Sequence, residues 1–269
     1  AAFGAAAAGA GLTGAAEVAT GPSRLTPAEV AALVAPLADC GALEPTEPGG
    51  GSYPLGATVT ITGNVADPAR AAAIRAAVVP AIGDRALRLD LNELNPALCT
   101  VLALVPRAPA GAISVQLTAG DDPRPNLSGS YGAGENPVID LLVPATLTGG
   151  HLWVVIVDLS DQVYHLLPNS QLPETALDEL GTVEGGLRRI RVAYSTAENE
   201  ANPVLPRILV EPPFGRSVLV AFHTDRPLFD ELRGSAESSA SFAKGLGEVI
   251  AAGQVRFLSV ISRFIDMHG

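Results

Sequence analysis

The hydrophobic pattern of residues 25–105 predicts a small unit in which helices and strands alternate. Thr26, Pro27 and Glu29 form a capping box with proline at the first helical position, and the apolar spacing stays helical until Pro36 kinks or ends it. The four predicted elements, in chain order, are a helix over 26–37, a strand over 58–65, a helix that opens at 67–68 and stops at Pro80, and a strand over 87–91.

From residue 111 onward the pattern changes to short apolar segments separated by turns that contain proline and glycine. Residues 152–157 are continuously apolar, as in a strand that is covered on both faces, and 158–161 form a hairpin turn before a strand at 163–167. Further strands are predicted at 113–117, 138–143, 190–194, 207–210 and 217–224. Residues 238–252 suit a helix, and 255–266 fit a helix or a final strand, of which we favour the strand. This spacing predicts a sandwich or a barrel.

The first unit resembles a known family. BON-type domains of bacterial envelope proteins have a V-x-L-x-G-x-V strand that leads into a helix and another strand, and they are similar to two stretches here, VTITGNVADPARAAAIRAAV and LRLDLNEL. The resemblance covers residues 25–105. It implies a non-catalytic envelope module, which in some members contacts phospholipid or a protein partner.

The second unit resembles a bacterial domain of unknown function that is found C-terminal to serine/threonine kinase and caspase-like domains. That family has a hairpin ending in P-N and a later P-P-G segment that runs through a hydrophobic stretch to T-x-x-P-L. The matching residues here are Pro168 and Asn169, then Pro212, Pro213 and Gly215, then Thr224, Pro227 and Leu228. Asp161 stands where the family usually has glycine. The pair of resemblances implies the extracytoplasmic portion of bacterial transmembrane kinases and related envelope proteins.

Together these patterns predict an α+β chain in three parts. Residues 1–22 are an Ala/Gly-rich tether or the end of a membrane or signal helix, since their apolar run extends only to Leu12 and is too short to span a bilayer alone. Residues 23–107 form a small BON-like α/β unit. Residues 108–269 form a mainly antiparallel β-sandwich domain with a C-terminal helix.

Charge limits the classes of partner. The formal net charge is −11 and the pI is near 4.8. Nucleic acid is excluded as a partner because phosphate binding needs a basic surface, and docking on an anionic membrane is disfavoured for the same reason. The expected partners are a protein or an envelope component, a second copy of the chain among them, and we expect membrane contact only through an N-terminal anchor.

The chain has two cysteines, Cys40 and Cys99, and no Cys-x-x-Cys pair. A zinc site is poorly supported, and a catalytic cysteine would need a nearby histidine, whereas the four histidines all lie in the second half. Two buried thiols or one disulfide remain. The even count favours a Cys40–Cys99 disulfide and a periplasmic or other extracytoplasmic location.

Candidate chemical groups have simpler structural interpretations. His223 and Asp225, with Asp121 and Asp122 or with Asp158 and Asp161, could suggest a metal cluster, but aspartates in turns usually make local hydrogen bonds. We interpret His165 as a buried structural histidine, and Trp153 beside Tyr164 as core. The serine-rich 235–241 fits a loop and helix N-cap, and the glycine-rich 129–134 lacks the context of a phosphate loop. No catalytic residue, metal or cofactor is predicted, and no kinase motif is present.

Three functions are therefore ranked. The first is a non-enzymatic extracytoplasmic sensor or interaction ectodomain of a bacterial envelope protein, anchored in the membrane. The second is a structural subunit of an envelope or secretion-associated assembly that uses free strand edges. The third is a hydrolase that uses His223 and Asp225.

Overall fold

The computed structural model describes residues 24–108 and 111–269, so the predicted tether over 1–22 lies outside the described residues. The structure is mixed α/β and mostly sheet. None of the helices in the described ranges is long and apolar enough to cross a membrane.

The N-terminal unit contains the four predicted elements and two additional short ones. In chain order its elements are α1 (Pro27–Val34), β1 (Glu44–Pro45), β2 (Thr58–Val65), α2 (Arg70–Ile82), β3 (Ala86–Glu93) and α3 (Pro96–Leu102). The sheet order is β1-β2-β3, with β1 antiparallel and β3 parallel to β2. Residues of β2 that alternate toward one face, Val59 and Ile61, pack with Val30, Ile74 and Val78 of α1 and α2. The predicted alternation of helix and strand is confirmed.

Two prolines act differently in the helices. Pro36 ends α1 as predicted, because the α-helix stops at Val34 and one 3₁₀ turn, Ala35–Leu37, follows. The prediction that Pro80 stops α2 is wrong, since the helix continues to Ile82. Pro80 lies in the exposed last turn of α2. Because proline has no N–H, the carbonyl four residues earlier lacks its helical partner, and water can hydrogen-bond to it instead.

The C-terminal unit consists of two sheets and two helices, and we call it the two-sheet unit. Its strands are β4 (Ser114–Ala119), β5 (Ser130–Gly132), β6 (Pro137–Pro144), β7 (His151–Val157), β8 (Gln162–Leu167), β9 (Thr182–Glu184), β10 (Leu187–Ala193), β11 (Gly215–Thr224), β12 (Ala236–Ser238) and β13 (Phe257–His268). Its helices are α4 (Thr196–Ala201) and α5 (Ser239–Ala252). The sheet orders are β4-β6-β10-β9 and β12-β8-β7-β11-β13-β5, and only the β13–β5 pair is parallel.

Strand β7 contributes to two hydrophobic cores, as its continuous apolar run predicts. Leu152, Val154 and Ile156 point into the core that the two sheets share. Trp153 and Val155 point to the opposite face, where α3 and α5 cover the six-stranded sheet. The prediction that this strand is covered on both faces is confirmed.

The N-terminal unit and the two-sheet unit join through this second core. Leu98 and Val101 of α3 belong to the same buried cluster as Phe242 and Leu246 of α5. The Cys40–Cys99 disulfide, which spans 59 residues of sequence, lies within the cluster and confirms the predicted pairing. The disulfide therefore links the segment after α1 to the helix that docks on the sheet.

Two further predictions need correction. The final element is a strand, β13, so helix α5 is the last helix but not the C-terminal element. The strand favoured over 255–266 is thereby confirmed. Residues 207–210 are not a ladder strand, because Pro206 lacks an N–H and the Ile208 carbonyl is taken by the Asn136 side chain.

Candidate functional site

A groove of about 680 Å³ opens at one edge of the two-sheet unit. Its floor is the face of the six-stranded sheet that also carries the shared core, and it includes Ile156 of β7 and Tyr164 and Leu166 of β8. Its wall is the irregular segment 203–213, which connects α4 to β11. We call this feature the edge groove.

Exposed apolar side chains distinguish the edge groove from the closed core. Tyr164 is 40% exposed, Val204 42% and Leu209 38%, and all three line it. The interpretation of Tyr164 as core is therefore wrong, while Trp153 is buried as interpreted. The Tyr164 and Trp153 side chains point to opposite faces of the six-stranded sheet. The smaller sheet covers only part of the face that carries Tyr164, so this side chain remains exposed.

One edge of the wall is held by hydrogen bonds from alternate residues. The Pro206 carbonyl accepts from the Tyr194 N–H at 2.8 Å, and the Ile208 carbonyl accepts from Asn136 Nδ2 at 2.8 Å. Val210 donates its N–H to the Glu135 carbonyl at 2.9 Å and accepts from the Gly134 N–H at 2.9 Å. Bonding of every second residue toward one side is the pattern of an extended chain.

The other edge of the wall presents unused backbone groups. Within residues 24–108 and 111–269, the N–H and C=O groups of Arg207 and Leu209 have no hydrogen-bond partner. In an extended chain these groups point away from the side that Ile208 and Val210 use. Because Arg207 and Leu209 both line the edge groove, it offers two donors and two acceptors at the spacing of a β-strand.

The two motifs of the second resemblance meet at the edge groove. Asn169 lies at one end of the lining, and Pro212 and Pro213 lie in the wall. The Asn169 side chain donates to the Leu166 carbonyl at 3.1 Å and accepts from the Leu172 N–H at 2.9 Å, so it fixes the end of β8. Residues that the sequence places far apart are thus brought to one surface.

Charge at the edge groove is unbalanced toward carboxylate. Asp158 and Glu211 line it together with one cation, Arg207. The Asp158 carboxylate accepts from the Ser160 and Gln162 N–H groups in the hairpin turn. Among the described residues neither Asp158 nor Glu211 forms an ion pair, so both carboxylates can pair with a cationic group of a ligand.

His165 is a buried structural residue, as interpreted from the sequence. Trp153 Nε1 donates to His165 Nδ1 at 3.0 Å, so the proton lies on Nε2, which donates to Glu237 Oε1 at 2.9 Å. Arg233 and Ser241 also donate to the Glu237 carboxylate. Burial lowers the pKa of His165, whereas the hydrogen bonds from Arg233, Ser241 and His165 outweigh burial and lower the pKa of Glu237 to about 2.

The residues considered for a metal cluster are not brought together. His223 Nε2 contacts the Gly149 carbonyl at 3.2 Å, while Asp225 accepts from the Arg256 N–H at 2.9 Å. Asp122 pairs with Arg124 in a different turn. The part of the chain that the structure describes contains no group of three metal-ligating side chains.

The serine- and glycine-rich stretches have local structural roles. Ser238 caps α5, because its side chain accepts from the Ser241 N–H, which confirms the cap expected within 235–241. The loop expected there is wrong in part, since Ala236–Ser238 forms β12 and pairs with β8. Within 129–134, Ser130–Gly132 forms β5 and pairs with the end of β13.

Sequence reasoning missed an ion-pair cluster on the outer face of the smaller sheet. Asp140 of β6 is 1% exposed, and it pairs with Arg189 at 2.7 Å and with Arg191 at 3.0 Å. Arg191 also pairs with Glu198 of α4 at 2.6 Å. The available signal was an aspartate inside the apolar run 138–143, facing the Arg-x-Arg of β10.

Comparisons of the chain with protein-family models, with curated proteins and with solved structures found no match. The interpretation of the edge groove therefore depends on its own geometry and chemistry.

Proposed function

We propose that this chain is a non-enzymatic interaction ectodomain of a bacterial envelope protein, and that it binds an extended segment of a protein partner in the edge groove. In this proposal the two-sheet unit is a β-sandwich of the resembled bacterial type, and the N-terminal unit is a BON-like module docked on it.

The unused backbone edge at Arg207 and Leu209 is the observation that carries the proposal. A peptide that lies along the wall can pair with these two N–H and two C=O groups, which is the β-augmentation mode of recognition. A small molecule would not match a repeat of donors and acceptors at strand spacing. The apolar floor around Tyr164 then accepts alternate side chains of the bound peptide.

Charge narrows the chemistry of the bound peptide. Asp158 and Glu211 outnumber Arg207 along the lining, and neither carboxylate is neutralised within the described residues. A peptide with apolar residues at alternate positions and at least one lysine or arginine is therefore favoured. Such a charge pair would contribute mainly to specificity and to the association rate.

The buried disulfide supports an oxidising compartment. Cys40 is 0% exposed and Cys99 is 3% exposed, so the bond forms part of the folded core. Acid quenching of the cells followed by alkylation of free thiols under denaturing conditions tests the location, because a buried thiol in the folded protein escapes the reagent whether it is reduced or oxidised. The proposal requires that the cysteines escape alkylation, and full modification of both would place the chain in a reducing compartment.

The binding proposal is tested with displayed random peptides selected against the oxidised protein. Selected peptides should bind with Kd in the micromolar range, about 1–100 μM. Leu209→Pro removes one unused N–H without removing a hydrogen bond of the folded protein, so it should weaken binding about tenfold or more. Affinity is measured by fluorescence anisotropy.

Leu127→Pro is the matched control. Leu127 is 84% exposed, lies outside the edge groove, and its N–H has no partner in the described ranges. This variant should bind peptide as the wild type does, and equal unfolding midpoints would show that both variants fold. No enriched peptide, or equal binding by Leu209→Pro, would contradict the proposal.

A further inference from the structure

Strand β3 forms a free edge of the N-terminal sheet. Its eight residues pair with β2 on one side only, and no strand of the described chain lies on the other side. The edge contains no proline and no bulge, which are two of the means by which proteins prevent strand addition.

The hydrogen-bond parity of β3 shows which backbone groups are free. The Ala86 N–H donates to the Ala57 carbonyl at 2.9 Å and the Leu94 N–H donates to the Val65 carbonyl at 3.0 Å, both toward β2. Even-numbered residues therefore bond to β2, and the N–H and C=O groups of Leu87, Leu89 and Leu91 point outward. None of these outward groups has a partner in residues 24–108 and 111–269.

We propose that this edge pairs with the same edge of a second copy, antiparallel and centred on Leu89, to form a two-fold dimer with one continuous six-stranded sheet. Leu89 then faces Leu89 of the second copy, and Leu87 faces Leu91 of the second copy, as hydrogen-bonded pairs. Arg88 faces Asp90 of the second copy, and Asp90 faces Arg88 of the second copy. These are non-hydrogen-bonded pairs, in which side chains approach most closely.

Charge selects this register among those that the backbone allows. The free N–H and C=O groups of one strand must face those of the strand in the second copy. The two strands can therefore shift only by two residues at a time, which keeps each leucine opposite an odd-numbered residue. One step in one direction would place Arg88 opposite its own copy, and one step in the other would do the same for Asp90. Like charges directly opposite destabilise a sheet, whereas the register centred on Leu89 gives two opposite-charge pairs.

The side chains on both faces fit this arrangement. Leu87, Leu89 and Leu91 are partly buried against the helix-covered core, and pairing would bury more of them. On the other face Arg88 and Asp90 are 67% and 43% exposed and pair with each other at 2.9 Å. They can exchange this contact for the one across the dimer.

Charge reversal tests the dimer by analytical ultracentrifugation of the full chain. The fraction of dimer in the wild type should rise with protein concentration. Arg88→Asp and Asp90→Arg each place like charges opposite each other twice, so each should weaken the dimer about tenfold or more. The double variant restores opposite charges and should dimerise again.

A mixture of the two single variants gives the sharpest result. One variant then carries two acidic residues at these positions and the other carries two basic residues, so a 1:1 heterodimer should form although neither protein dimerises alone. A wild type that stays monomeric, or a dimer that neither reversal weakens, overturns the proposal. Near-identical thermal unfolding of all variants would exclude misfolding as the cause.

Discussion

At the scale of single residues, the His165–Glu237 pair links the structure to pH. Because Trp153 donates to Nδ1 and the ring is buried, the folded protein holds His165 neutral and its pKa lies below the usual 6.5. The unfolded chain takes up this proton more readily, so this group reduces stability as the pH falls below about 6.5. Glu237, with a pKa of about 2 in the folded state, adds stability above 4.5 that is lost as the pH falls toward 2.

We expect Glu237→Gln to lower the free energy of unfolding by about 1–3 kcal/mol at neutral pH, since it removes the charge that Arg233 and His165 surround. The fall in stability between about pH 5 and pH 3 should become shallower than in the wild type. Urea denaturation over this pH range measures both effects. Glu248→Gln is the control, because Glu248 is 69% exposed on α5, and it should leave the pH profile unchanged.

Asp140 gives a second prediction at this scale. Asp140→Asn removes the charge that Arg189 and Arg191 share, so we expect a loss of about 1–3 kcal/mol in the free energy of unfolding, partly screened because the two arginine side chains are 46% and 32% exposed. Chemical denaturation measures the loss. Asp121→Asn in an exposed turn should have almost no effect, and equal losses for the two variants would show that the cluster is not responsible.

At the scale of elements, sequence periodicity predicted the strands that have one clear inward face. Strands β2, β3, β7 and β11 follow it, because alternating or continuous apolar residues have one way to reach a core. Helix α3 was missed, since seven residues are too few to show a helical period. Segment 207–210 was predicted as a strand because most of its residues are apolar. Its hydrogen-bond partners are a loop and an amide side chain, and the sequence pattern does not show them.

Asn136 positions this segment and hence the wall of the edge groove. Its Nδ2 group donates to the Ile208 carbonyl and, at 3.2 Å, to the Tyr194 carbonyl. We expect Asn136→Ala to speed hydrogen exchange at the Val210 amide about tenfold or more, and to weaken peptide binding without contacting the peptide. Hydrogen exchange with mass spectrometry measures this effect.

The matched control for the wall is Asn199→Ala. Asn199 Nδ2 donates to the Leu205 carbonyl at 2.7 Å, at the opposite end of the segment. Exchange at Val210 should remain near that of the wild type in this variant. If both variants accelerate Val210 equally, the segment opens as one unit and Asn136 has no special role.

At the scale of the whole molecule, the disulfide stabilises the junction between the two units. It closes a 59-residue separation and lies in the cluster that α3 and α5 form on the six-stranded sheet. We expect the variant with both Cys40→Ala and Cys99→Ala to lose about 4 kcal/mol in the free energy of unfolding. Denaturation of the oxidised protein and of this variant measures the difference.

Limited proteolysis shows which unit loses protection from cleavage when the disulfide is removed. Without it the N-terminal unit should be cleaved first, because its contact with the sheet then depends mainly on α3, while strands β6, β7 and β11 stay protected. Uniform loss of protection over both units would instead indicate a single cooperative fold. The proposed β3 dimer and the edge groove lie in different units, so each can fail without the other.

The local features of this protein follow from its amino-acid sequence alone. Spacing of apolar residues gave the major elements, two cysteines in a suitable context predicted the disulfide, and turn chemistry explained Asp161, whose φ of +64° is a conformation that aspartate tolerates and glycine prefers. The elements and the turn depend on neighbours along the chain, so a sequence pattern records them, and a chain with two cysteines allows only one intrachain disulfide.

Which surfaces remain open depends on how the sheets and helices pack in three dimensions. Tyr164 and Trp153 are both aromatic residues of predicted strands, so the sequence does not distinguish them. Tyr164 lines the edge groove and Trp153 fills a core, because the smaller sheet covers only part of the larger one. The unused backbone groups of Arg207, Leu209 and Leu89 carry no sequence signal, since every residue except proline has them. Their partners, or the lack of them, are set by segments distant in sequence, and the binding proposals follow from those contacts.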